Sequence, residues 1–147
     1  MNPTVELIFT VAGGALTLLA IYGAFTLSRK LFLSGVCFFS ILPIIGESMA
    51  YNADKGSVHV MMIALFLSQF VLALPNTIAY GAENVAATKL SSKIALALLI
   101  INIAGAAFVL CLKSGVPAQF GYYHVAIALV IVYLLVRRSM GGGAWLK

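Results

Sequence analysis

Ionisable side chains are scarce in this sequence, and several of them fall between residues 43 and 62. The stretch PIIGESMAYNADKGSVHVMM contains Glu47, Asp54, Lys55 and His59, although only 9% of the 147 residues are charged. Glu47 is flanked by the apolar runs ILPIIG and SMAY, and a carboxyl group in such a setting is costly unless it is paired, hydrated or protonated. Glu47 is therefore the most informative residue of the sequence.

The two histidines of the chain, His59 and His124, can join Glu47 in proton or cation chemistry. A carboxylate and an imidazole each bind and release a proton reversibly. We predict a site for a proton or small cation in which Glu47 is the ionisable carrier and His59, His124 and Glu6 are its partners at the outer mouth. The side chains predicted to line the inner half of the pathway are Gln69, Asn76 and Asn102.

Other ligand chemistries are open for the same residues. His59 and His124 on two helices at similar depth could be the axial ligands of a b-type haem. His59 with Met49, Met61 and Met62 offers the soft ligands that copper prefers. The motifs of hydrolytic enzymes, such as His-Glu-x-x-His and Gly-x-Ser-x-Gly, do not occur in the sequence, so an enzymatic activity is unsupported.

Composition decides the environment in which these side chains must work. Hydrophobic residues make up 63% of the chain and the mean hydropathy is +1.09, well outside the range of a soluble domain. The long apolar runs leave no room for a separate soluble domain, so residues 1–147 are predicted to form one transmembrane helical domain. Cys37 and Cys111 lie within apolar runs without metal-binding spacing and are interpreted as buried apolar side chains.

Five apolar segments are long enough to cross a hydrocarbon core of about 30 Å at about 1.5 Å per residue. They predict an all-α integral membrane protein, a bundle of five transmembrane helices over residues 5–27, 31–51, 58–80, 94–112 and 119–136, followed by a tail over 137–147. Asn2 is predicted to cap the first helix, with Pro3 in its first turn.

Lys and Arg residues divide unevenly between the two sides of this predicted bundle. Seven fall on one side and only Lys55 and Lys113 on the other. The positive-inside rule therefore predicts an amino terminus outside and a carboxyl terminus in the cytoplasm, in the cytoplasmic membrane of a prokaryote. The basic residues do not form one polar face with interleaved aromatic residues, so nucleic acid is not an expected partner.

Small residues predict where the helices pack. The first helix has a face of small side chains, including Gly13, Gly14 and Thr17, that lets another helix approach closely. The fourth helix is predicted to pack against this face through Gly105 and Ala106. The third helix aligns most of its polar groups along one stripe, in which Gln69 and Asn76 are expected to bond to Asn102, Thr17 or a backbone carbonyl. This stripe consists of His59, Met62, Phe66, Gln69, Ala73, Asn76 and Tyr80.

Two prolines are predicted to disturb the helices that contain them. Pro43 and Pro75 each remove an amide donor and crowd the preceding turn, which frees the carbonyl groups of Phe39 and Val71. A neighbouring helix can repair such a lost bond, so both prolines are compatible with helices that span the membrane.

Short connections and small-residue faces also suit a subunit that packs against other chains. We expect the protein to work as a homo-oligomer or as a subunit of a larger membrane complex, in contact with the lipid bilayer. The main alternative to transport is a non-catalytic accessory or scaffolding subunit, in which the polar stripe only bonds helices together. The haem-binding membrane anchor is the third hypothesis.

Overall fold

The computed structural model describes residues 2–76, 85–112 and 114–139, which contain five α-helices and no β-strand. The helices are α1 (Pro3–Phe25), α2 (Arg29–Asp54), α3 (Ser57–Leu72), α4 (Val85–Cys111) and α5 (Gln119–Ser139). Within these residues, α1, α2, α4 and α5 are long and apolar enough to cross a membrane, and α3 is a shorter apolar helix. The prediction of an all-helical fold with apolar helices long enough to span a membrane is confirmed for the described residues.

Local signals fix the first two helices. Asn2 caps α1, because its side chain accepts a hydrogen bond from the amide of Thr4 at 2.9 Å, and Pro3 occupies the first turn as predicted. Ser28 caps α2, which continues through Pro43 and ends at Asp54. Lys55 follows in the left-handed conformation with φ 57°, a common way to end a helix and reverse the chain.

The third helix is shorter than the sequence pattern predicts. It ends at Leu72, with Ala73 as its C-cap, instead of continuing through Pro75 to residue 80. Proline lacks an amide donor and disfavours the helical conformation in the residue before it, so the chain leaves the helix just before Pro75. The 16 residues of α3 span about 24 Å, less than the thickness of a hydrocarbon core of about 30 Å. Tyr80 lies outside the described residues.

The later connections differ from the prediction as well. The fourth helix begins at Val85, nine residues before the predicted start at 94, so Lys89 and Lys93 lie within α4 and not in a connection. Lys113 and most of the predicted tail, including Lys147, are outside the described residues.

The five helices form a ring in which each helix packs against its neighbours in sequence and α5 closes onto α1. We call the end of the bundle that carries Glu6, Glu47, Asp54 and His59 the acidic end. The opposite end, called the basic end, brings Arg138 of α5 against α4, where its guanidinium donates to the hydroxyl of Ser92 and to the carbonyl of Thr88.

The predicted small-residue faces contact α5 and not each other. Gly13 of α1 lies against the ring of Phe120, and Gly14 lies against Tyr123, whose hydroxyl donates to the carbonyl of Thr10 at 3.0 Å. Gly105 of α4 lies against the ring of His124. Aromatic side chains of α5 therefore fill the space that these glycines leave, and α1 and α4 do not form the predicted direct seam.

The outer surface of the bundle is apolar. Leu7, Val11 and Leu18 of α1 are each more than 60% exposed, and α4 and α5 carry similar exposed aliphatic residues. Water would solvate such a surface poorly, whereas lipid chains cover it at no cost. These faces indicate contact with the lipid bilayer.

Candidate functional site

Glu47 lies inside the bundle at the acidic end, and its side chain is fully buried. Its Oε2 atom is 2.6 Å from Nδ1 of His59. Its Oε1 atom accepts hydrogen bonds from the hydroxyl of Ser114 at 2.6 Å and from the amide of Gly115 at 2.9 Å. Glu47, on α2, is therefore hydrogen-bonded both to α3 and to the connection between α4 and α5.

Local backbone geometry brings these partners to Glu47. The left-handed residue Lys55 and the N-cap Gly56 reverse the chain between α2 and α3, so His59 in the first turn of α3 faces back toward α2. On the other side, Gly46 and Gly115 are in close contact, and a methyl group added to either one would overlap the backbone of the other. The absence of side chains at these two positions lets Ser114 approach the carboxylate.

His59 joins two carboxylates through opposite ring nitrogens. Its Nδ1 atom contacts Glu47, and its Nε2 atom lies 3.2 Å from Oδ1 and 3.3 Å from Oδ2 of Asp54. Carboxylate oxygens are acceptors, so when both acids are ionised each ring nitrogen must carry a proton and donate it. The geometry therefore fits a His59 imidazolium held between Asp54, which is about one-third exposed, and the fully buried Glu47.

A cavity of about 530 Å³ opens at this end of the bundle, beside His59. Glu6, Asp54, His59 and Ser114 supply its polar lining, and its apolar lining includes Met49 and Val116. Glu6 thus shares a cavity with Asp54 and His59. Asp54 and His59 both line this cavity, whereas the fully buried Glu47 is not among its lining residues.

His124 is not a partner of Glu47 in this structure. Its ring packs face to face with Phe66 at a centroid distance of 5.1 Å and edge-on to Phe39 at 4.9 Å. Phe39 precedes Glu47 by eight residues, so His124 lies about 12 Å deeper along α2 than the carboxylate. The two histidines, which the sequence places at similar depth, therefore belong to separate polar groups.

Asn102 is the partner of His124. The Nδ1 atom of His124 is 2.9 Å from Oδ1 of Asn102, and the Nδ2 atom of the same amide donates to the carbonyl of Leu98 at 2.7 Å. Because the amide nitrogen is already used as a donor, Oδ1 must accept, and Nδ1 of His124 must carry the proton. Gly105 permits this placement, since a Cβ atom there would lie 3.0–3.1 Å from the ring of His124.

The buried polar stripe of α3 is present, but its bonding differs from the prediction. His59, Met62, Phe66, Gln69 and Ala73 are all buried as one face. The side chain of Gln69 is fully buried, yet neither its Oε1 nor its Nε2 atom has a hydrogen-bond partner in residues 2–76, 85–112 and 114–139.

The expected partners of Gln69 are engaged elsewhere. The hydroxyl of Thr17 donates to the carbonyl of Gly13 at 2.8 Å within α1, and Asn102 bonds to His124 and Leu98. The Nε2 atom of His124 is also buried without a partner in the part of the chain that the structure describes.

Asn76 follows the end of α3 and lines a second, smaller cavity at the basic end. This cavity has a volume of about 50 Å³. Its polar lining comes from Arg29, Asn76 and Ser91, and Leu72 and Leu98 lie among its apolar residues. Asn76 is thus separated from Glu47 by most of the length of the bundle.

The haem and copper hypotheses do not fit this arrangement. An axial ligand needs a nitrogen with a free lone pair, but both nitrogens of His59 contact carboxylates. Met49 and Met61 are each more than half exposed, whereas Met62 is fully buried, so the three sulfur atoms do not gather around His59. No group of three or more His, Cys, Asp or Glu residues that could hold a metal ion occurs among the described residues.

Two residues of this site were not identified from the sequence. Asp54 belongs to the charged stretch around Glu47 and lies five residues before His59, a spacing that could have suggested a contact across the turn. Ser114 carries no such signal, because it reaches Glu47 only through the packing of Gly115 on Gly46.

Comparisons with known proteins identify no relative from which a function could be transferred. No protein-family model matches the sequence, and no curated protein and no solved structure matches it.

Proposed function

We propose that this protein moves protons across a membrane, with Asp54, His59 and Glu47 as the site at which a proton passes from a water-accessible cavity into the bundle. The observation that carries the proposal is the bridging position of His59. Its Nε2 atom contacts a carboxylate that lines the cavity, and its Nδ1 atom is 2.6 Å from a fully buried carboxylate.

This arrangement can transfer a proton without moving a side chain through the bundle. A neutral His59 that accepts a proton at Nε2 from Asp54 becomes an imidazolium, which can release the proton on Nδ1 to Oε2 of Glu47. The O–H bond of a protonated Asp54 breaks as an N–H bond forms at Nε2, and the N–H bond at Nδ1 breaks as an O–H bond forms on Glu47. The imidazole returns to zero charge, Asp54 is left ionised and Glu47 is left protonated. Ionisable residues within a membrane commonly serve such relays.

A proton fits the site better than a metal cation does. Both oxygens of Glu47 already accept hydrogen bonds, and the group closest to them is an imidazole that becomes positively charged. A metal ion would have to displace these donors and would be repelled by the imidazolium. We therefore narrow the predicted substrate from a proton or small cation to a proton.

The proposal includes an orientation and a span count. Arg29 and Arg138 mark the basic end, which the positive-inside rule assigns to the cytoplasm of a prokaryotic cell. The cavity beside His59 then opens to the outside. In this arrangement α3 is the fifth crossing, and the protein acts as a homo-oligomer or as a subunit of a larger complex.

A specific observation also favours a second candidate, a non-catalytic accessory subunit. Glu47 joins three parts of the chain, because its partners are His59 of α3 and Ser114 and Gly115 of the α4–α5 connection. A carboxylate with hydrogen bonds to both oxygens can have a purely structural role. We call Glu47 with His59, Ser114 and Gly115 the clasp.

Proton flux into liposomes distinguishes the two candidates. The purified protein is reconstituted with a trapped pH-sensitive dye, and a potassium diffusion potential drives proton uptake. The wild type should acidify the lumen, and Glu47→Gln should reduce the rate by about 100-fold or more, the usual contribution of a positioned proton-transfer group. The amide can still accept hydrogen bonds from Ser114 and Gly115, so the fold should be retained.

Two control variants separate proton transfer from structural support. Glu6→Gln makes the same carboxyl-to-amide change on the cavity wall and should lower the rate much less than Glu47→Gln does. Ser114→Ala weakens the clasp but keeps every ionisable group, so it should keep most of the flux. A wild-type rate in Glu47→Gln would refute the proposed relay, and a wild type without flux would favour the accessory subunit.

A further inference from the structure

We propose that His124 and Gln69 form a second polar site in the interior of the bundle, and that this site binds water that enters from the basic end. The presence of water there does not depend on the proposed function. The use of this site as the inner station of a proton pathway does rest on that function.

The first observation is the fixed chemistry of His124. Asn102 accepts the proton of Nδ1, because the amide nitrogen of Asn102 is occupied by the carbonyl of Leu98. In the neutral ring, Nε2 is then a bare acceptor, and it is buried without a partner in the described part of the chain. An unsatisfied buried acceptor is unfavourable, so such atoms usually contact a water molecule.

The second observation is the position of Gln69. Phe66 packs on the ring of His124, and Gln69 follows Phe66 by three residues on the same buried face of α3. Side chains three residues apart on a helix have Cβ atoms about 5–6 Å from each other, so Gln69, with its amide, is a neighbour of the Phe66 ring on which His124 packs. Both polar atoms of that amide lack a partner within the described ranges. Water could donate to Nε2 of His124 and bond to the Gln69 amide.

The third observation is a route for water from the basic end. The cavity of about 50 Å³ there is lined by Leu72 and Leu98. Leu72 is one turn beyond Gln69 on α3, and the carbonyl of Leu98 is the acceptor that holds Asn102. A water molecule needs a cavity of about 10–15 Å³ by this measure, so the cavity can hold water within one helical turn of Gln69 and Asn102.

Aromatic rings surround the ring of His124. Phe39, Phe66 and Phe120 are fully buried, and Phe39 contacts both the ring of His124 and the ring of Phe120. These rings offer no hydrogen-bonding groups to a chain of water molecules. We therefore expect water to reach His124 from the basic end, where the cavity lined by Leu72 and Leu98 lies.

Nuclear magnetic resonance of the full-length protein in lipid nanodiscs, with ¹⁵N-labelled histidine, tests this inference. The two histidines are assigned with the His59→Gln variant. The wild type should show His124 protonated on Nδ1 and not on Nε2, with magnetisation transfer from water to the ring. Gln69→Leu should remove most of that transfer while leaving the Nδ1 proton in place, because Asn102 is unchanged.

Ser68→Ala is the matched control, since Ser68 is exposed on the outer face of α3 next to Gln69. It should leave the water transfer unchanged. A wild-type His124 without water contact, or a contact that Gln69→Leu leaves intact, would overturn the inference. If His124 contacts water but the protein moves no protons, the water site stands and only the proposed function is wrong. If the protein moves protons but His124 has no water contact, the proposed function stands and the water site is wrong.

Discussion

Glu47 and Gln69 are both fully buried polar residues of neighbouring helices, yet their surroundings are opposite. Glu47 has hydrogen bonds to both of its oxygens, from His59, Ser114 and Gly115. Gln69 has no partner for either polar atom of its amide among the residues that the structure describes. The difference follows from charge, because an uncompensated buried carboxylate is far more costly than a neutral amide.

The surroundings of Glu47 and Gln69 indicate which kind of role each residue can have. A carboxylate that the protein itself satisfies is held in one place and can exchange protons with the imidazole beside it. A neutral amide and a neutral imidazole that the protein leaves unsatisfied provide hydrogen-bonding groups for a guest, and water is the smallest guest that fits. Four substitutions test this contrast through the free energy of unfolding in detergent micelles.

The largest effect is expected for Glu47→Ala. It leaves His59 without its buried carboxylate partner, so that only the partly exposed Asp54 remains beside the ring, and breaking a buried pair typically destabilises a protein by about 3–5 kcal/mol. Glu47→Gln should be much less harmful, because its amide can still bond to Ser114, Gly115 and the neutral ring of His59. A loss of stability below about 1 kcal/mol in Glu47→Ala would be within the range of many ordinary substitutions. It would contradict the claim that the hydrogen bonds of Glu47 hold these parts of the chain together.

Ser114→Ala should have the next largest effect. It removes one hydrogen bond to a charged group, which is generally worth about 1.5–3 kcal/mol. Ser48→Ala on α2 is the matched control, because the hydroxyl of Ser48 only bonds to the carbonyl of Ile44 in its own helix, at 2.7 Å. If both variants have the same stability, the contact between Ser114 and Glu47 contributes nothing specific.

Asn102→Leu is expected to destabilise the protein by about 1–3 kcal/mol, because it leaves the Nδ1 proton of His124 buried without an acceptor. The preference of His124 for protonation on Nδ1 should weaken at the same time, as ¹⁵N chemical shifts would show. Retention of both the stability and the tautomer would mean that the bond between Asn102 and His124 does not hold the ring.

The smallest effect is expected for Gln69→Leu. Leucine has a similar volume and removes two buried polar atoms that lack protein partners, so the stability should change by less than about 1 kcal/mol in either direction. A loss of more than about 2 kcal/mol is the range of a broken buried hydrogen bond. It would show that Gln69 has a hydrogen-bond partner in the protein and would contradict the contrast with Glu47.

Much of the fold follows from local sequence signals. Asn2 and Pro3 predict the start of α1, and the apolar segments predict the other helices because each buries its own backbone groups regardless of its neighbours. The end of α3 and the start of α4 are the exceptions. The apolar pattern continues through Pro75, and proline is tolerated in membrane helices, so the sequence does not decide whether Pro75 ends α3 or only bends it.

The candidate site was only partly predictable. The scarcity of charge singled out Glu47, and the stripe of α3 correctly indicated that His59 and Gln69 share a buried face. The choice between His59 and His124 as the partner of Glu47 depends on the turn at Lys55 and on the order of helices around the ring, which the sequence does not encode locally. The same is true of Ser114, which reaches the carboxylate through contacts between residues that are distant in sequence.

The most direct test of the proposed relay is to observe protonation of Glu47 itself. Infrared difference spectra of the protein in lipid, recorded while the pH on one side of the membrane is lowered, report the carbonyl stretch of any carboxyl group that takes up a proton. We expect a band that is present in the wild type, is lost in Glu47→Gln and is retained in Glu6→Gln. An identical band in the wild type and in Glu47→Gln would show that Glu47 does not take up the proton, and the proposed relay would be wrong.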